Sequence, residues 1–481
     1  SAIASLRSGR QFSIINPGTH NHMRFLEIII PVLLTLYLGW SHPRPGWVRL
    51  LPALALIVTL AHFAFEGYRW QMVPLYVLTS LLAISALMKI FGAGDWKALA
   101  SYLTLSLVAL ATALPILLPI PRIPAPSGPF QVGTRIFEMV DESRREIYSG
   151  KDEARRYMIQ VWYPAVVKAD DVRAPWMENA EIFAPAIATY IDLPSFFLDH
   201  LALVNIPAYK DADVLVTDEK FPVILFSHGW NGFNAQNAGQ ALELASRGFI
   251  VVGMQHTYGA VITVFPDGTA APNNPDALPD DRNDPNYEEV ARVLVGQWAG
   301  DMSHTLDFIL SGEGGNPFAQ SVDPARVGAY GHSTGGGAAV QFCGVDLRCV
   351  SVLGMDPFMR PVSAEVIESG LSQPSFFMFS QGWADDTESK SNALFRKFNP
   401  QNENNFGVIS IEGTKHYDFS DLPLLSPIAP QLGLKGPLRG ERVVEIVNAY
   451  LLDFFELTLR GGESALFEGG FDDFEEVSVF E

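Results

Sequence analysis

Long uncharged apolar runs fill the first quarter of this 481-residue chain. The two longest, Trp70 to Met88 and Ala98 to Ile120, have 19 and 23 residues without a charged side chain, close to the roughly 20 that a helix needs to cross a bilayer. Two shorter runs of 16 residues, Ile28 to Pro43 and Leu50 to Phe65, reach spanning length only if flanking charges extend to the membrane surface. We expect a transmembrane domain of about four helices over residues 23–120. A buried or re-entrant hairpin is the alternative for the shorter pair.

Beyond residue 120 the pattern changes to short apolar strands alternating with helices. Residues 121–136 carry closely spaced prolines and predict an extended linker. Several of the following strands are continuous apolar runs, as expected for a mostly parallel sheet covered on both faces. The strands are predicted near Tyr157–Tyr163, Val223–Phe226, Ile250–Met254, Val327–Tyr330, Val350–Met355, Ser375–Phe379 and Phe406–Ile411. The main helices are predicted over Asn237–Ser246, Glu288–Leu310 and Gly440–Leu459.

This order predicts a doubly wound α/β domain over residues 137–461. A polar extension, 1–22, precedes the membrane segment, and an acidic, aromatic tail, 462–481, follows this domain as a solvated or loosely docked terminus. Two insertions interrupt the domain. Ala174 to Ala212 is aromatic and predicts a lid or a membrane-facing acyl pocket, with ordinary core packing as the alternative. Phe265 to Asn286 is rich in Pro, Asp and Asn without calcium-loop spacing, which favours a solvated loop.

The strongest chemical signal is a serine between a strand and a helix. Gly331-His332-Ser333-Thr334-Gly335 follows the apolar run Val327 to Tyr330 and precedes a stretch of small residues. α/β-Hydrolases hold a nucleophilic serine on such a sharp turn above the sheet, where the glycines let strand and helix pass closely. The motif therefore predicts an α/β-hydrolase fold with Ser333 as the nucleophile of an acyl transfer.

A serine nucleophile needs a histidine base and an acid that fixes the imidazole. His416 follows the strand that ends at Ile411 and is the best base, because it comes after the serine as the hydrolase order requires. His256 precedes the serine, and His304 lies in a helical pattern, which favours a structural role. The residues alone leave two positions open for the acid. These are Asp356, directly after one strand, and Asp385 with Asp386, after the next.

The oxyanion of an acyl transfer needs fixed N–H donors. Ser227-His228-Gly229-Trp230 follows the strand Val223 to Phe226. The backbone N–H of Trp230 can therefore face the N–H of Thr334, the residue after the nucleophile. Together the two amides predict an oxyanion hole.

Four segments in order resemble the plasma-type platelet-activating-factor acetylhydrolase family of α/β-hydrolases. They are Phe221–Gly229, Leu244–Val252, Gly331–Gly336 and His416–Asp421. The resemblance covers about Phe137 to Gly461 and implies a calcium-independent serine esterase that cleaves short or oxidised acyl chains from phospholipids.

The resemblance also implies roles for individual residues. Ser333 would be the nucleophile and His416 the base, with the amides of Trp230 and Thr334 as oxyanion donors. It favours Asp356 as the acid, because Asp356-Pro357-Phe358 matches the Asp-aromatic context of the family.

Composition excludes some partners. A formal charge of −20 argues against nucleic-acid binding, which needs Lys and Arg to replace phosphate counterions. The sequence has neither a Cys/His metal cluster nor a phosphate loop followed by Lys, so we expect no cofactor and water as the only co-substrate. The expected partners are a lipid bilayer and an ester or lipid-like substrate, with the oligomeric state left open.

Localisation follows from the apolar runs and their flanking charges. Secreted members of the family lack such spans, and the chain resembles membrane-anchored bacterial relatives, so we expect a multi-pass protein of a bacterial cell membrane. If Met23 is the true start, loop charges such as Arg49 and Lys89 predict a catalytic domain on the extracytoplasmic side. Counting Arg7 and Arg10 removes this charge bias. Cys343 and Cys349, with five residues between them, could form a disulfide in such a compartment or remain buried thiols.

Three alternatives accompany this prediction. Membrane-anchored relatives could cleave other esters by the same mechanism, including bulky or polymeric ones. A hydrolase fold could also serve as a non-catalytic membrane scaffold or binding module, although the set of Ser333, Asp356 and His416 argues against it. A transporter would need a polar site within the membrane; Glu66 and Arg69 lie at a span end, where an interfacial ion pair is expected.

Overall fold

The computed structural model describes residues 23–41, 43–90, 98–312, 315–468, 471 and 473–480. The extension predicted over 1–22 lies outside the described residues. The chain divides after Ile120 into two compact units, Ser1–Ile120 and Pro121–Glu481.

The first unit is helical. Its helices are α1 (Phe25–Gly39), α2 (Gly46–Arg49), α3 (Leu51–Phe65), α4 (Val73–Ile90) and α5 (Ala98–Leu117), with a 3₁₀ turn over Trp70–Met72.

Two of the four predicted spans are long and apolar enough to cross a membrane, Trp70–Lys89 and Ala100–Leu117. The helices α1 and α3 have 15 residues each and therefore extend only about 22 Å at 1.5 Å per residue, short of a hydrocarbon core of about 30 Å. By length and composition, the structure supports two candidate spans rather than four.

Ion pairs in this unit differ from the predicted one. Arg69 donates from Nη2 to Glu27 Oε2 at 2.7 Å, and both side chains are fully buried. Glu66 instead lies 3.0 Å from His62 Nδ1 and also pairs with Arg24. The prediction of a Glu66–Arg69 pair was wrong, because Glu27 on α1 reaches Arg69 across the bundle and sequence spacing does not encode that contact.

The second unit contains the sheet. Its strands are β1 (Val132–Arg145), β2 (Ala154–Val166), β3 (Arg173–Pro175), β4 (Asn205–Lys210), β5 (Asp213–Val214), β6 (Phe221–Ser227), β7 (Ile250–Gln255), β8 (Ile262–Val264), β9 (Ala270–Pro272), β10 (Val322–His332), β11 (Ser351–Met355), β12 (Ser375–Ser380), β13 (Asn405–Ile411) and β14 (Val477–Val479).

The main sheet has the order β14-β13-β12-β11-β10-β6-β7-β2-β1-β4-β3. Neighbouring strands from β13 to β7 are parallel, whereas β2 runs antiparallel to β1 and to β7. Every residue of β6, β7, β11 and β12 is buried, which explains why these strands are continuous apolar runs. The predicted α/β class is confirmed.

Helices cover this sheet. They are α6 (Ala180–Tyr190), α7 (Ala238–Ser246), α8 (Tyr287–Leu310), α9 (Thr334–Val345), α10 (Ala364–Ser369), α11 (Gln381–Ala384), α12 (Lys390–Phe398), α13 (Gly440–Arg460) and α14 (Ala465–Glu468). Short 3₁₀ segments lie at Ser195–Leu203, Pro275–Ala277, Asn399–Gln401, His416–Phe419 and Leu422–Leu424. On the central strands α7 packs with α13, and α8 packs with α9.

The structure differs from the sequence prediction at both ends of the second unit. Strand β1 begins at Val132, within the residues predicted as a linker. At the other end, β14 pairs antiparallel with β13, and Phe471 stacks on Phe376 at 5.9 Å. The carboxyl-terminal residues are thus docked on the sheet edge.

Candidate active site

Ser333 occupies the strained turn between β10 and α9. Its backbone has φ 57° and ψ −122°, a conformation that L-residues adopt only when their surroundings enforce it and that is concentrated at functional sites. The Ser333 N–H donates to Met355 O at 3.0 Å, and its carbonyl accepts from Phe358 N at 2.9 Å. The side chain is half-buried, so the β11–α10 connection fixes the turn while the hydroxyl stays accessible.

The glycines of the motif permit this turn. A Cβ on Gly335 would lie 2.1 Å from the carbonyl oxygen of Ser227, and one on Gly331 would lie 2.1 Å from Gly335 O. Any side chain at either position would force strand and helix apart. The close crossing predicted from the sequence is therefore present.

His416 and Asp356 form a direct pair next to this turn. His416 Nδ1 lies 2.9 Å from Asp356 Oδ2, so its N–H donates to the carboxylate and Nε2 remains an acceptor. The ring of His332, the residue before Ser333, lies 4.5 Å from the ring of His416. The Nε2–H of His332 donates to the His416 carbonyl oxygen at 2.8 Å. This contact brings the His416 loop to the serine turn.

Ser380 holds the other side of Asp356. Its backbone N–H donates to Oδ1 at 2.8 Å and its hydroxyl to Oδ2 at 2.6 Å. Burial raises the pKa of Asp356 to about 7, although the two Ser380 hydrogen bonds lower it. Burial also lowers the pKa of His416 to about 3, with a smaller contribution from the charge of Arg282. His416 is therefore a neutral base at physiological pH.

The two predicted oxyanion donors lie on either side of the serine. Thr334 is the first residue of α9 and is buried, while Trp230 lies in the turn after β6, where a Cβ on the adjacent Gly229 would be 3.3 Å from Ser333 Cβ. Neither amide donates to a backbone carbonyl within the residues that the structure describes.

The model of the family "Platelet-activating factor acetylhydrolase, isoform II" matches residues 119–463, more than half of the chain. The chain belongs to this family. The membership makes it a carboxylic-ester hydrolase.

Individual relatives agree with the family match. The platelet-activating factor acetylhydrolase of Cavia porcellus is 29% identical over 69% of this chain and 77% of its own length. The corresponding protein of Gallus gallus is 25% identical, with 70% and 83% covered. A probable 1-alkyl-2-acetylglycerophosphocholine esterase of Arthroderma benhamiae is 23% identical over 74% of this chain and 92% of its own.

A solved structure supports the fold. The ferulic acid esterase from Streptomyces cinnamoneus superposes with a TM-score of 0.63 and 22% identity, over 75% of this chain and 100% of the esterase. At this identity the likeness concerns the fold alone. The second unit accordingly has the α/β-hydrolase fold.

The other predicted acids and bases lie elsewhere. Asp385 and Asp386 are exposed at the end of α11, so the pairing with His416 distinguishes Asp356 from them. His304 Nδ1 lies 2.9 Å from the Tyr157 hydroxyl on β2. His256 is fully buried and faces Asp301.

Sequence reasoning missed the aromatic surroundings of the histidine. Trp383 on α11 stacks on His416 with ring centroids 4.4 Å apart and planes 15° apart. Trp383 and Trp230 pack in one apolar cluster with Leu278 and Phe358. The segment predicted as a solvated loop therefore contributes the buried Leu278 to this cluster, which no local pattern indicated.

The aromatic insertion over Ala174–Ala212 packs against the loop that follows Trp230. Trp176 Nε1 donates to Ala235 O at 3.0 Å, and the ring of Phe183 lies 6.2 Å from that of Phe233. The insertion thus packs on the loop that follows Trp230, one of the two predicted oxyanion donors.

In the described part of the chain, two groups of side chains each bring three potential metal ligands within reach of one another. They are His332, Asp356 and His416 in the site, and Glu27, His62 and Glu66 in the helical unit. Members of both groups already bind protein partners, as His332 Nε2 does with the His416 carbonyl and Glu27 with Arg69.

The sequence left open whether the two cysteines form a disulfide. In the structure Cys343 and Cys349 are joined by a disulfide, which links α9 to the turn before β11.

Proposed function

We propose that Ser333, His416 and Asp356 form the catalytic triad of this esterase. The strained Ser333 turn beside the paired His416 and Asp356 is the observation that carries the proposal. Neutral His416 takes the hydroxyl proton on Nε2 while Ser333 Oγ attacks the ester carbonyl. Asp356 accepts from Nδ1–H, which fixes the tautomer and stabilises the imidazolium that forms.

The remaining steps use the two amides. The carbonyl oxygen becomes an oxyanion between the N–H groups of Trp230 and Thr334, where preformed dipoles stabilise its charge. The imidazolium of His416 then gives its proton to the leaving alkoxide, and an acyl-enzyme on Ser333 remains. A water molecule deprotonated by His416 releases the acid by the same path in reverse.

We infer that the substrates are phospholipid-like esters with short or oxidised acyl chains. The named activities of the relatives, platelet-activating factor acetylhydrolase and 1-alkyl-2-acetylglycerophosphocholine esterase, support this class. The apolar side chains of Trp230, Trp383 and Phe358 cluster beside the serine turn and suit a small acyl group.

The helical unit would hold the enzyme at a bilayer. Only 28% of each long apolar helix is buried, less than a core helix of a soluble protein would bury, and large apolar side chains such as Leu81 and Leu110 face outwards. Buried polar groups such as Thr79 and His62 face inwards. This arrangement suits a lipid surround, with α4 and α5 as the spanning helices.

A serine substitution tests the mechanism. Ser333→Ala is expected to abolish both the hydrolysis of a short-chain chromogenic ester and labelling by a fluorophosphonate, since the acyl acceptor is lost. Ser351→Ala, which removes another buried serine hydroxyl one strand away, is the matched control and should keep both. Retained hydrolysis by Ser333→Ala would refute the proposal.

A lipid panel tests the substrate class. The full chain, reconstituted in vesicles, is given phosphatidylcholines whose sn-2 chains are acetyl, oxidised or long and saturated. Faster release of acetyl and oxidised chains is expected. Equal rates for the long saturated chain would contradict the proposed class without affecting the triad.

A further inference from the structure

A second hydrogen-bonded Ser-His-Asp chain lies next to the turn that carries Trp230, called the oxyanion turn below. Ser227 Oγ lies 3.0 Å from His256 Nε2, and His256 Nδ1 lies 2.9 Å from Asp301 Oδ2. All three side chains have 0% exposure. The hydrogen-bond order matches that of a catalytic triad, yet no ester can reach the hydroxyl.

Ion pairs with two arginines hold the Asp301 end of this hydrogen-bonded chain. Asp301 accepts from Arg155 at 2.7 and 3.1 Å and from Arg144 at 2.9 Å. Although burial alone would raise the pKa of Asp301, Arg155 and the other donors hold it well below its usual range. The carboxylate is therefore a permanent acceptor that keeps the His256 N–H on Nδ1, so Nε2 accepts from the Ser227 hydroxyl.

Two sets of hydrogen bonds connect the segment that begins at His256 to the oxyanion turn. The His256 backbone N–H donates to His228 Nε2 at 3.2 Å, and the His228 Nδ1–H donates to Gly229 O at 2.7 Å. Asn231 N–H donates to Gly259 O at 2.9 Å, three residues after His256. The residues on both sides of Trp230 are thus tied to the loop that His256 begins.

We propose that the buried chain Ser227–His256–Asp301 positions the Trp230 amide for the oxyanion of the reaction at Ser333. Ser227 and His256 are positioning residues: they touch neither substrate nor Ser333, and they act by holding the turn that presents the Trp230 N–H. This inference rests on the proposed function, because it assigns a support to the oxyanion hole proposed there.

Three substitutions in the full-length protein test the inference. Ser227→Ala removes the hydroxyl from the chain, and His256→Phe removes both ring hydrogen bonds while keeping a ring to stack on Trp298, 4.3 Å away. Ser351→Ala is the control, a fully buried serine on β11, which β10 separates from β6 in the sheet. Active sites are counted by fluorophosphonate labelling of Ser333, so that misfolded protein does not enter kcat.

The second readout is a transition-state analogue. An alkyl trifluoromethyl ketone accepts Ser333 Oγ at its carbonyl carbon, the hydroxyl proton passes to His416, and the carbonyl oxygen becomes an alkoxide in the oxyanion hole. A displaced Trp230 amide weakens this adduct in the same proportion as it lowers kcat. A purely structural role would lower thermal stability and leave both quantities unchanged per active site.

We expect Ser227→Ala to lower kcat about tenfold, less than the loss of a whole oxyanion donor, and His256→Phe about a hundredfold, the lower end of that loss. KM should change less than threefold, and the inhibition constant of the ketone should rise in parallel with the loss of kcat. Ser351→Ala should stay within twofold of the parent.

Unchanged kcat and ketone affinity in Ser227→Ala would overturn the inference, whatever the folding of His256→Phe. If Ser333→Ala is inactive while Ser227→Ala resembles the parent, only this inference fails. If Ser333→Ala hydrolyses the ester, the proposed function itself fails.

Discussion

Among the residues that the structure describes, two Ser-His-Asp sets differ in what surrounds them. In both, a histidine Nδ1 lies 2.9 Å from an aspartate oxygen, and both histidines stack on a tryptophan, at 4.4 and 4.3 Å. Residue identity and pair geometry therefore do not distinguish the proposed triad from the buried chain.

Backbone strain, access and charge do distinguish them. Ser333 sits at positive φ and is half-buried, whereas Ser227 ends an extended strand and is fully buried. The His416 side chain is 25% exposed and His256 is not exposed at all. Asp301 binds two guanidinium groups, while Asp356 accepts from Ser380. The first set can change its protonation during turnover, and the second is held in one state.

Replacing the aspartate of the proposed triad should have the largest effect. In Asp356→Asn the carboxamide favours the wrong imidazole tautomer and cannot stabilise the imidazolium, so kcat should fall about 10⁴-fold. Thermal stability should change little, because burial already penalises the charged carboxylate. Steady-state kinetics measure kcat, and a melting curve in detergent measures thermal stability. A fall in kcat below tenfold would argue against Asp356 as the acid.

The matching change in the buried chain should mainly affect stability. Asp301→Asn removes the carboxylate that buried Arg155 and partly buried Arg144 share, while Glu146 and Asp141 still pair with them. We expect a cost of about 3 kcal/mol in the free energy of unfolding, the lower end for a broken buried ion pair. Its kcat per labelled serine should fall less than that of Asp356→Asn. Chemical denaturation of the two variants side by side gives the comparison. Equal stability losses would show that the two aspartates do not have distinct roles.

Changing the pH should separate the two sets. Burial raises the pKa of Asp356 to about 7, so below that pH the His416–Asp356 pair retains an extra proton and cannot support proton transfer. We expect kcat/KM to fall about tenfold per pH unit below pH 7 and to level off above it.

The buried chain should not titrate in this range. Burial lowers the pKa of His256, and Asp301 stays ionised. The profile of Ser227→Ala should therefore keep the step near pH 7 at a lower plateau, whereas Asp356→Asn should lose it. A step that persists in Asp356→Asn would assign the titration to another group.

The difference between buried and exposed positions also explains how much of the fold could be predicted from the sequence. The central strands β6, β7, β11 and β12 were predicted to within about two residues, because strands buried on both faces must be apolar throughout. Strand β1 was missed, since nine of its 14 residues are half-buried or exposed and it therefore lacks a continuous apolar run. How much of such a strand is buried depends on which strands and helices assemble around it.

Within the proposed site, the fixed chain order of hydrolases named Ser333 and His416, whereas only the family resemblance favoured Asp356 over Asp385 and Asp386. Ser380 and Trp383 could not be named from the sequence. Their positions depend on the parallel pairing that sets Met355 opposite Met378, and thus on the register of two strands far apart in sequence. Ser227 and His256 were assigned no joint role, because a buried chain and a catalytic one require the same residue types.

The two tryptophans give the smallest expected effects. Trp383 stacks on His416 with planes 15° apart, which restricts the imidazole that must transfer a proton at each step. An aromatic pair contributes about 0.5–1.5 kcal/mol, so Trp383→Leu should lower kcat about two- to tenfold, and Trp383→Phe should restore most of it. Trp298→Phe, beside His256, should instead lower the melting temperature, because Trp298 is fully buried in a packed cluster. If Trp383→Leu also acts only on stability, the stack serves packing in both sets, and the catalytic set differs from the buried one by the strain at Ser333 and by access alone.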